Sequence, residues 1–501
     1  MSGAGDGFGA LDRWEIVRYV GLGLLLGLAG DVTDEFSIFG FVQFGLLIVA
    51  LAIGFVPTRH GLILLLAITI ACRDLVQTSS ESLELGRVTI ASPWQAQVGL
   101  IRPSWLVMVG MLLLLLRNPI YIGDRTVNRA IVWFASVPLL TGLVYGGLTG
   151  PHATIQVPVD LKLPAFLMAS ILLYRSYLRR NPTLVATLVA VIVGCSVARH
   201  LLDLAYWGLD IGSMLAGVNR VSVDSTKGTV VLLLIAGVFL IVTRRAVVLG
   251  AIVGVTSSIL LAVYVTRMLW LTALLGIIVV LLAQRTNRRV LVIPVAAAVL
   301  FVAIQLIETL NPDSMRLLEY RSNTLLGDPA SLESVDFVRY AEMVDSTATN
   351  ARRFAVLWGS GYGGYYTDDW IPIPPYVPDS FPQYSLETGL FYRCHGYVTH
   401  TLFKYGVVGL AVISALWVTP AWGCFQRLRR GRSELPDGIA VCMIAFMITA
   451  MLQMSWTAKG YVLNGALIAI CLSLYQSVAV EASRSRSPAV MPAVARVDAV
   501  T

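Results

Sequence analysis

Apolar runs close to 20 residues long recur along almost the whole chain, separated by charged or Pro/Gly-rich breaks. Each run, as a helix, is long enough to cross a hydrocarbon core of ~30 Å. The expected fold is therefore all-α, a polytopic helical membrane protein. Composition points the same way: 56% of the 501 residues are apolar and 13% charged, with a mean hydropathy of +0.75. Transmembrane barrels, DNA-binding modules and soluble metabolic enzymes are excluded. The excess of 37 Lys+Arg over 30 Asp+Glu fits loops held against an anionic inner leaflet, with no nucleic-acid partner. The six cysteines lack CxxC spacing, so neither a disulfide framework nor a zinc site is indicated. No short apolar region with a small-residue cleavage site precedes the first span, so no removable signal peptide is expected.

Spans fall near 16–30, 37–56, 60–77, 98–117, 128–148, 161–178 and 183–204, and again near 224–243, 246–264, 267–283, 290–308, 398–419, 438–456 and 461–478. That makes about fourteen, with about twelve as the alternative count. Basic segments resist translocation, and the arginine clusters at 117–129, 175–180, 244–245, 285–289 and 427–432 fall on alternate loops. All become cytoplasmic together, and both termini join them. The chain then divides into helices 1–11 (residues 1–308), an extracytoplasmic loop subdomain (309–397), helices 12–14 (398–478) and a disordered cytoplasmic tail (479–501).

The long loop breaks the pattern of short connections, and such outward loops usually carry function. It contains a polar stretch expected to be helical (331–354), a Gly/Tyr-rich turn GSGYGGYY (359–366) and a Pro/aromatic segment (371–384). Its apolar and aromatic residues can pack a small subdomain, so an ordered cap is expected rather than a tether.

Residues 246–283 are apolar except for one charge, Arg267. The stretch is too long for a single crossing, so two crossings reverse near Thr266 and Arg267, on the outer face beside the loop. A lone arginine there opposes the positive-inside bias. It either snorkels to lipid phosphates or serves as a fixed cation for an anionic substrate group, and its position favours the second. Arg102, Arg220 and Lys404 lie in the same outer half as candidates for one electropositive pocket. Guanidinium groups bind phosphate oxygens bidentately, so cations under an outward loop suit a lipid-linked phosphate or pyrophosphate. Arg352 and Arg353 in the loop, Tyr362 in its Gly/Tyr turn and Tyr397 at its end complete the expected substrate-binding residues.

The loop re-enters the membrane through YRCHGYVTHTLFKYGVVGLAVISALW (392–417). His395 stands just before the span, where a neutral imidazole can take a proton from a hydroxyl near the headgroup plane. His400, five residues on, points to a different face. Gly406 and Gly409 would let another helix approach closely.

Three of these segments resemble the O-antigen ligase and O-antigen polymerase superfamily. Thr266-Arg267, opening an outward-starting helix, is similar to the family's Ser-Arg. Arg339-Tyr-Ala-Glu before GSGYGGY resembles its loop arginine before a GxG turn. H-G-Y-V-x-x-x-L-x-x-x-G-x-x-G-L, from His395 to Leu410, resembles its His-Asn-x-x-Leu signature, with Gly396 in place of the usual Asn. The resemblance implies a glycosyltransferase of the bacterial cytoplasmic (inner) membrane with its site on the extracytoplasmic face. Its donor would be a polyprenyl-diphosphate-linked glycan, and its acceptor a hydroxyl of a glycan, glycolipid or other molecule. Arg267 and Arg339 would hold the pyrophosphate, and His395 would deprotonate the acceptor, as the catalytic residues. Arginines can neutralise the leaving charge, so no metal and no cofactor is expected. A divalent cation would instead need Asp31, Asp34 and Glu35, or Asp368 and Asp369. The competing functional class is a polysaccharide or lipid-linked glycan transporter, which calls for paired broken helices and a midplane polar site. A scaffold of a wall-synthesis complex would need neither Arg267 nor His395.

Cysteine-accessibility labelling of intact cells tests the topology: positions in 309–397 should label from outside and positions in 427–432 should not. Outside labelling of 427–432 would reverse the whole orientation.

Overall fold

The computed structural model describes residues 48–72, 103–121, 124–207, 228–243, 247–263, 267–283, 329–373, 383–429 and 458–486, with a few isolated positions besides. Among the described residues the helices are, in chain order, α1 (Thr58–Ala71), α2 (Pro103–Arg117), α3 (Arg125–Val144), α4 (Ala153–Leu178), α5 (Leu184–Trp207) and α6 (Gly228–Thr243). There follow α7 (Val247–Val263), α8 (Arg267–Ala283), α9 (Pro329–Arg352), α10 (Gln383–Thr388), α11 (Tyr397–Arg429) and α12 (Ala458–Arg486). A lone antiparallel bridge pairs Tyr366 with Phe391. α3, α4, α11 as far as Arg427 and α12 as far as Tyr475 are long and apolar enough to cross a membrane, and α1, α2, α5, α6 and α7 are shorter apolar helices. The chain is an all-α, multi-pass membrane protein. α7 and α8 divide the 246–283 stretch as its length requires, α9 occupies the stretch expected to be helical, and α12 runs on past residue 479 to Arg486.

α4 and α12 pack along each other in the middle of the bundle. Gly465 makes this possible, since a Cβ there would fall 2.6 Å from that of Ser170, and the Ser170 hydroxyl donates to Val462 O at 2.7 Å. Small residues that let backbones approach are how apolar helices associate where lipid is as apolar as they are. The arginines of the described loop ends gather at one end of this bundle. Arg180 donates to Pro119 O, Arg175 to Ser473 Oγ and Arg427 to Leu474 O.

The opposite end receives the long loop, and the helices there are built with gaps for it. α11 is a helix in two pieces, because Gly406 (φ 66°, ψ −173°) interrupts its ladder. Backbone groups on both sides of the break lose their helical partners, and segment 355–361 replaces them. Ser360 N–H donates to Phe403 O (2.8 Å) and Gly361 N–H to Lys404 O (2.9 Å), while Val407 N–H and Val408 N–H donate to Val356 O (3.0 Å) and Leu357 O (3.1 Å). From α9, the Asn350 amide adds bonds to Leu402 O and Phe403 O, both 3.1 Å. Each unmet backbone group in hydrocarbon costs several kcal/mol, so the break persists only because the loop closes it. Only glycine fits at 406: its φ is positive, and a Cβ would fall 2.3 Å from Leu357 O. The close approach expected of another helix at Gly406 is thus made by loop backbone, since a missing Cβ admits either.

α3 carries a second gap. Pro138 has no N–H, so the Phe134 carbonyl one turn earlier lacks its helical donor. The Tyr362 hydroxyl donates to that carbonyl at 2.7 Å, and Tyr362 N–H donates to Pro138 O at 2.9 Å. Gly142 and Gly147 make room, because a Cβ on either would lie 2.5 Å from Tyr362 O. Beneath this turn a buried ion pair joins α4 to α11: Lys404 Nζ is 2.5 Å from Asp160 Oδ2. Lys404 also donates to Gly364 O at 2.7 Å, and Asp160 accepts from Gly363 N–H at 2.9 Å.

Tyr362→Phe should lower stability by about 1–3 kcal/mol through the carbonyl it orphans. Pro138→Ala, which restores an N–H one turn from that carbonyl, should recover much of the loss in the Tyr362→Phe background. Thermal unfolding of the two single variants and the double variant in detergent checks this; strictly additive losses would mean that Tyr362 does not serve the proline gap.

Candidate active site

The loop packs a core of its own, in which Val338 and Ala341 of α9 meet Tyr366, Ile373, Phe391, Cys394 and Phe403. Beside these apolar residues α9 buries a polar stripe, Glu342, Asp345, Ser346 and Asn350. Residues three, four and eight apart share one helical face, and most members of this stripe answer a specific group. Asn350 serves the broken turn of α11. It also accepts from the Ser360 hydroxyl at 2.6 Å. Asp345 Oδ1 accepts from Trp370 N–H (3.0 Å) and Ile371 N–H (3.3 Å), holding the turn after Asp369.

Glu342 holds His395. Its Oε2 accepts the His395 backbone N–H at 2.8 Å, and its Oε1 lies 2.7 Å from Nδ1. The Glu342 side chain is fully buried, whereas the imidazole is 38% exposed, so the pair has a dry side and an open side. The turn that delivers His395 is pinned by His400, which is buried and accepts Cys394 N–H on Nδ1 at 3.3 Å. The two histidines thus face different surroundings, as their spacing leads one to expect.

Arg339 is exposed on α9 one turn before Glu342, so one helix brings this arginine and the partner of His395 together. Arg267 is the first residue of α8, and its side chain lies outside the described residues. Arg102, Arg220, Asp31, Asp34 and Glu35 also lie outside them. Arg352 and Arg353 stand at the far end of α9, about 20 Å along the helix axis from Arg339 at 1.5 Å per residue. Arg352 pairs with Asp369 at 3.3 Å and lies over the Trp370 ring; Arg353 donates to Tyr365 O at 2.9 Å. Lys404 and Tyr362 are enclosed with the partners described above, and Tyr397 is buried. None of these three presents its polar group at the surface, so the electropositive lining expected of Lys404 is not formed there: its charge is matched internally by Asp160. Asp368 accepts Ile373 N–H at 3.1 Å, and among the described residues no three His, Cys, Asp or Glu side chains are grouped to hold a metal ion.

The segments that carry these groups fall in one stretch of sequence. Residues 252–414 match the family model of O-antigen ligase. This stretch is similar to the O-antigen ligase family. The match covers about a third of the chain and contains Arg267, Arg339, Glu342 and His395. No curated protein matches the chain significantly. Within the matched stretch, Glu342 is the residue to which the sequence alone assigns no role. Its signal was the polar stripe at helical spacing, but α9 is polar on its other face too, so periodicity could not tell which face turns inward.

Asp345 provides a test of how the loop is held. Burial pushes its carboxyl above the usual range, its two N–H bonds pull it back, and Asp368 and Asp369 push it further up. Its Oδ2 is buried with no hydrogen-bond partner. A carboxyl raised on folding costs stability as pH rises through its unfolded value, ~3.9, toward the raised one, and the cost persists above that. Asp345→Asn should therefore raise Tm at pH 7 and lose the advantage as pH falls through the carboxylate range. A lower Tm for the Asn variant at pH 7 would mean that the charge is needed to hold the 370–371 turn.

Proposed function

We propose that the protein is a polyprenyl-diphosphate-dependent glycosyltransferase, a ligase or polymerase, working at the extracytoplasmic face of a bacterial cytoplasmic membrane within a bundle of about fourteen spans. One observation carries the reading: the stretch that matches the O-antigen ligase family contains Arg267, Arg339 and His395, and the partly open imidazole of His395 is held by Glu342, one helical turn from Arg339 on α9. In the reaction the acceptor hydroxyl gives its proton to His395 while its oxygen bonds to the anomeric carbon. The bond from that carbon to the diphosphate breaks, and polyprenyl diphosphate leaves with the electron pair. Arg267 and Arg339 stabilise the charge that develops on the diphosphate, as preorganised cations do. In this reading Arg352 and Arg353, beside Trp370 and Tyr365, meet the more distant sugars of a glycan lying along α9. Arg102 and Arg220 remain further candidates for the phosphate pocket.

A broken membrane helix is also a transporter feature. In α11, however, the freed backbone groups bond to loop backbone instead of facing an open cavity, which favours the enzyme.

Reconstituted protein supplied with a lipid-linked oligosaccharide and candidate acceptors tests the proposal. Single transfer identifies a ligase and chain lengthening a polymerase. Arg267→Ala and Arg339→Ala should abolish transfer with near-normal expression, Arg→Lys should rescue poorly, and His395→Ala should lose at least ~10²-fold in rate. His400→Ala should lose much less, and EDTA should leave turnover intact. Full turnover in both arginine variants would defeat the phosphate-cradle assignment.

A further inference from the structure

Glu342 turns both of its oxygens onto one residue. An ionised carboxylate can only accept, so the proton on the 2.7 Å contact to Nδ1 belongs to the imidazole. The neutral ring is then the Nδ1–H tautomer, and its lone pair sits on Nε2. Since the same carboxylate also takes the His395 main-chain N–H, it fixes the backbone and the ring plane together. We propose that Glu342 is the positioning residue of the site: it sets the tautomer of His395, presents Nε2 to the acceptor hydroxyl, and stabilises the imidazolium formed when that hydroxyl is deprotonated. This rests on the reading of His395 as the base. The base is then completed across two elements, with the imidazole on the return segment into α11 and its carboxylate on α9. α9 also carries Arg339 one turn away, so docking of that helix assembles the proton acceptor and presents a cation for the diphosphate in one step.

Glutamine at 342 discriminates this from a packing role. It keeps the shape but offers one acceptor for two donors. If its carbonyl takes the main-chain N–H, its NH2 faces Nδ1, donates to it, and forces the proton onto Nε2. A base orienter changed from carboxylate to amide in this way holds the imidazole in the wrong tautomer, which in a serine protease costs about 10⁴-fold in kcat.

The experiment uses the full-length protein in nanodiscs, with lipid-linked oligosaccharide and acceptor for kinetics and ring-¹⁵N-labelled histidine for NMR. The His395→Gln protein identifies the His395 resonances among the five histidines. Glu342→Gln should lower kcat by about 10²–10⁴-fold with KM nearly unchanged, and should move the unprotonated ring-nitrogen signal of His395 from ε2 to δ1. Glu342→Asp keeps two acceptors on a shorter arm and should retain the ε2 signal and more of kcat. If Glu342→Gln does not fold, Glu342→Asp against wild type carries the same two readouts. An unprotonated δ1 in the wild type, or full kcat in Glu342→Gln with an unshifted spectrum, overturns the proposal even while His395→Ala is inactive. Full activity in His395→Ala would instead defeat the base assignment on which it rests, whatever the spectrum shows.

Discussion

The Asp160–Lys404 pair, closed to solvent at the junction of two membrane helices and a loop, is the interaction on which the loop end of the molecule depends. Two charges taken out of water attract strongly, but they recover the cost of desolvation only if their remaining hydrogen-bonding capacity is met. Gly363 N–H and Gly364 C=O meet it, one on the carboxylate and one on the ammonium. The Gly/Tyr turn is therefore part of the ion pair. Removing either charge would leave the other buried alone, at ~3–5 kcal/mol, and would release the turn from α4 and α11 together.

Everything nearer the site is stacked on that junction. The turn fixed at 363–364 presents Tyr362 to the proline gap in α3 and continues back through 355–361 into the break of α11. Asn350 reaches the same break from α9, so the helix carrying Arg339 and Glu342 is anchored by its C-terminal end. Trp133 of α3 and Trp358 of the loop stack with centroids 5.7 Å apart, adding an apolar clamp on the same side. The orientation of His395 is thus inherited from membrane helices through the backbone of the loop.

The parts of this arrangement legible in the sequence were those written in local pattern. Hydropathy gives the membrane helices, an isolated charge in an apolar stretch marks the start of α8, and a polar stretch within the long loop gives α9. The return of the loop through His395 is recognisable as motif, and the family match agrees with it. What escaped reading are relations between distant residues. Lys404 reads as part of an electropositive pocket because its partner Asp160 is 244 positions away. Tyr362 reads as a substrate-binding residue because nothing in its neighbourhood announces a carbonyl freed by Pro138 on another helix. Gly406 read as a small residue inside a continuous span; that it has a positive φ is decided by the segment it must accommodate.

The broken turn of α11 also has a consequence for how the protein is made. The groups that close it, 355–361 and Asn350, precede α11 in the chain, and so do α3 and α4, against which the loop seats. During synthesis the complement therefore exists before the gap does. An α11 that entered the bilayer without a folded loop would carry several bare amides and carbonyls into hydrocarbon, which lipid cannot solvate. Membrane integration of the late helices is consequently tied to folding of the loop, so a chain whose loop misfolds is marked as defective by a membrane helix that cannot be satisfied.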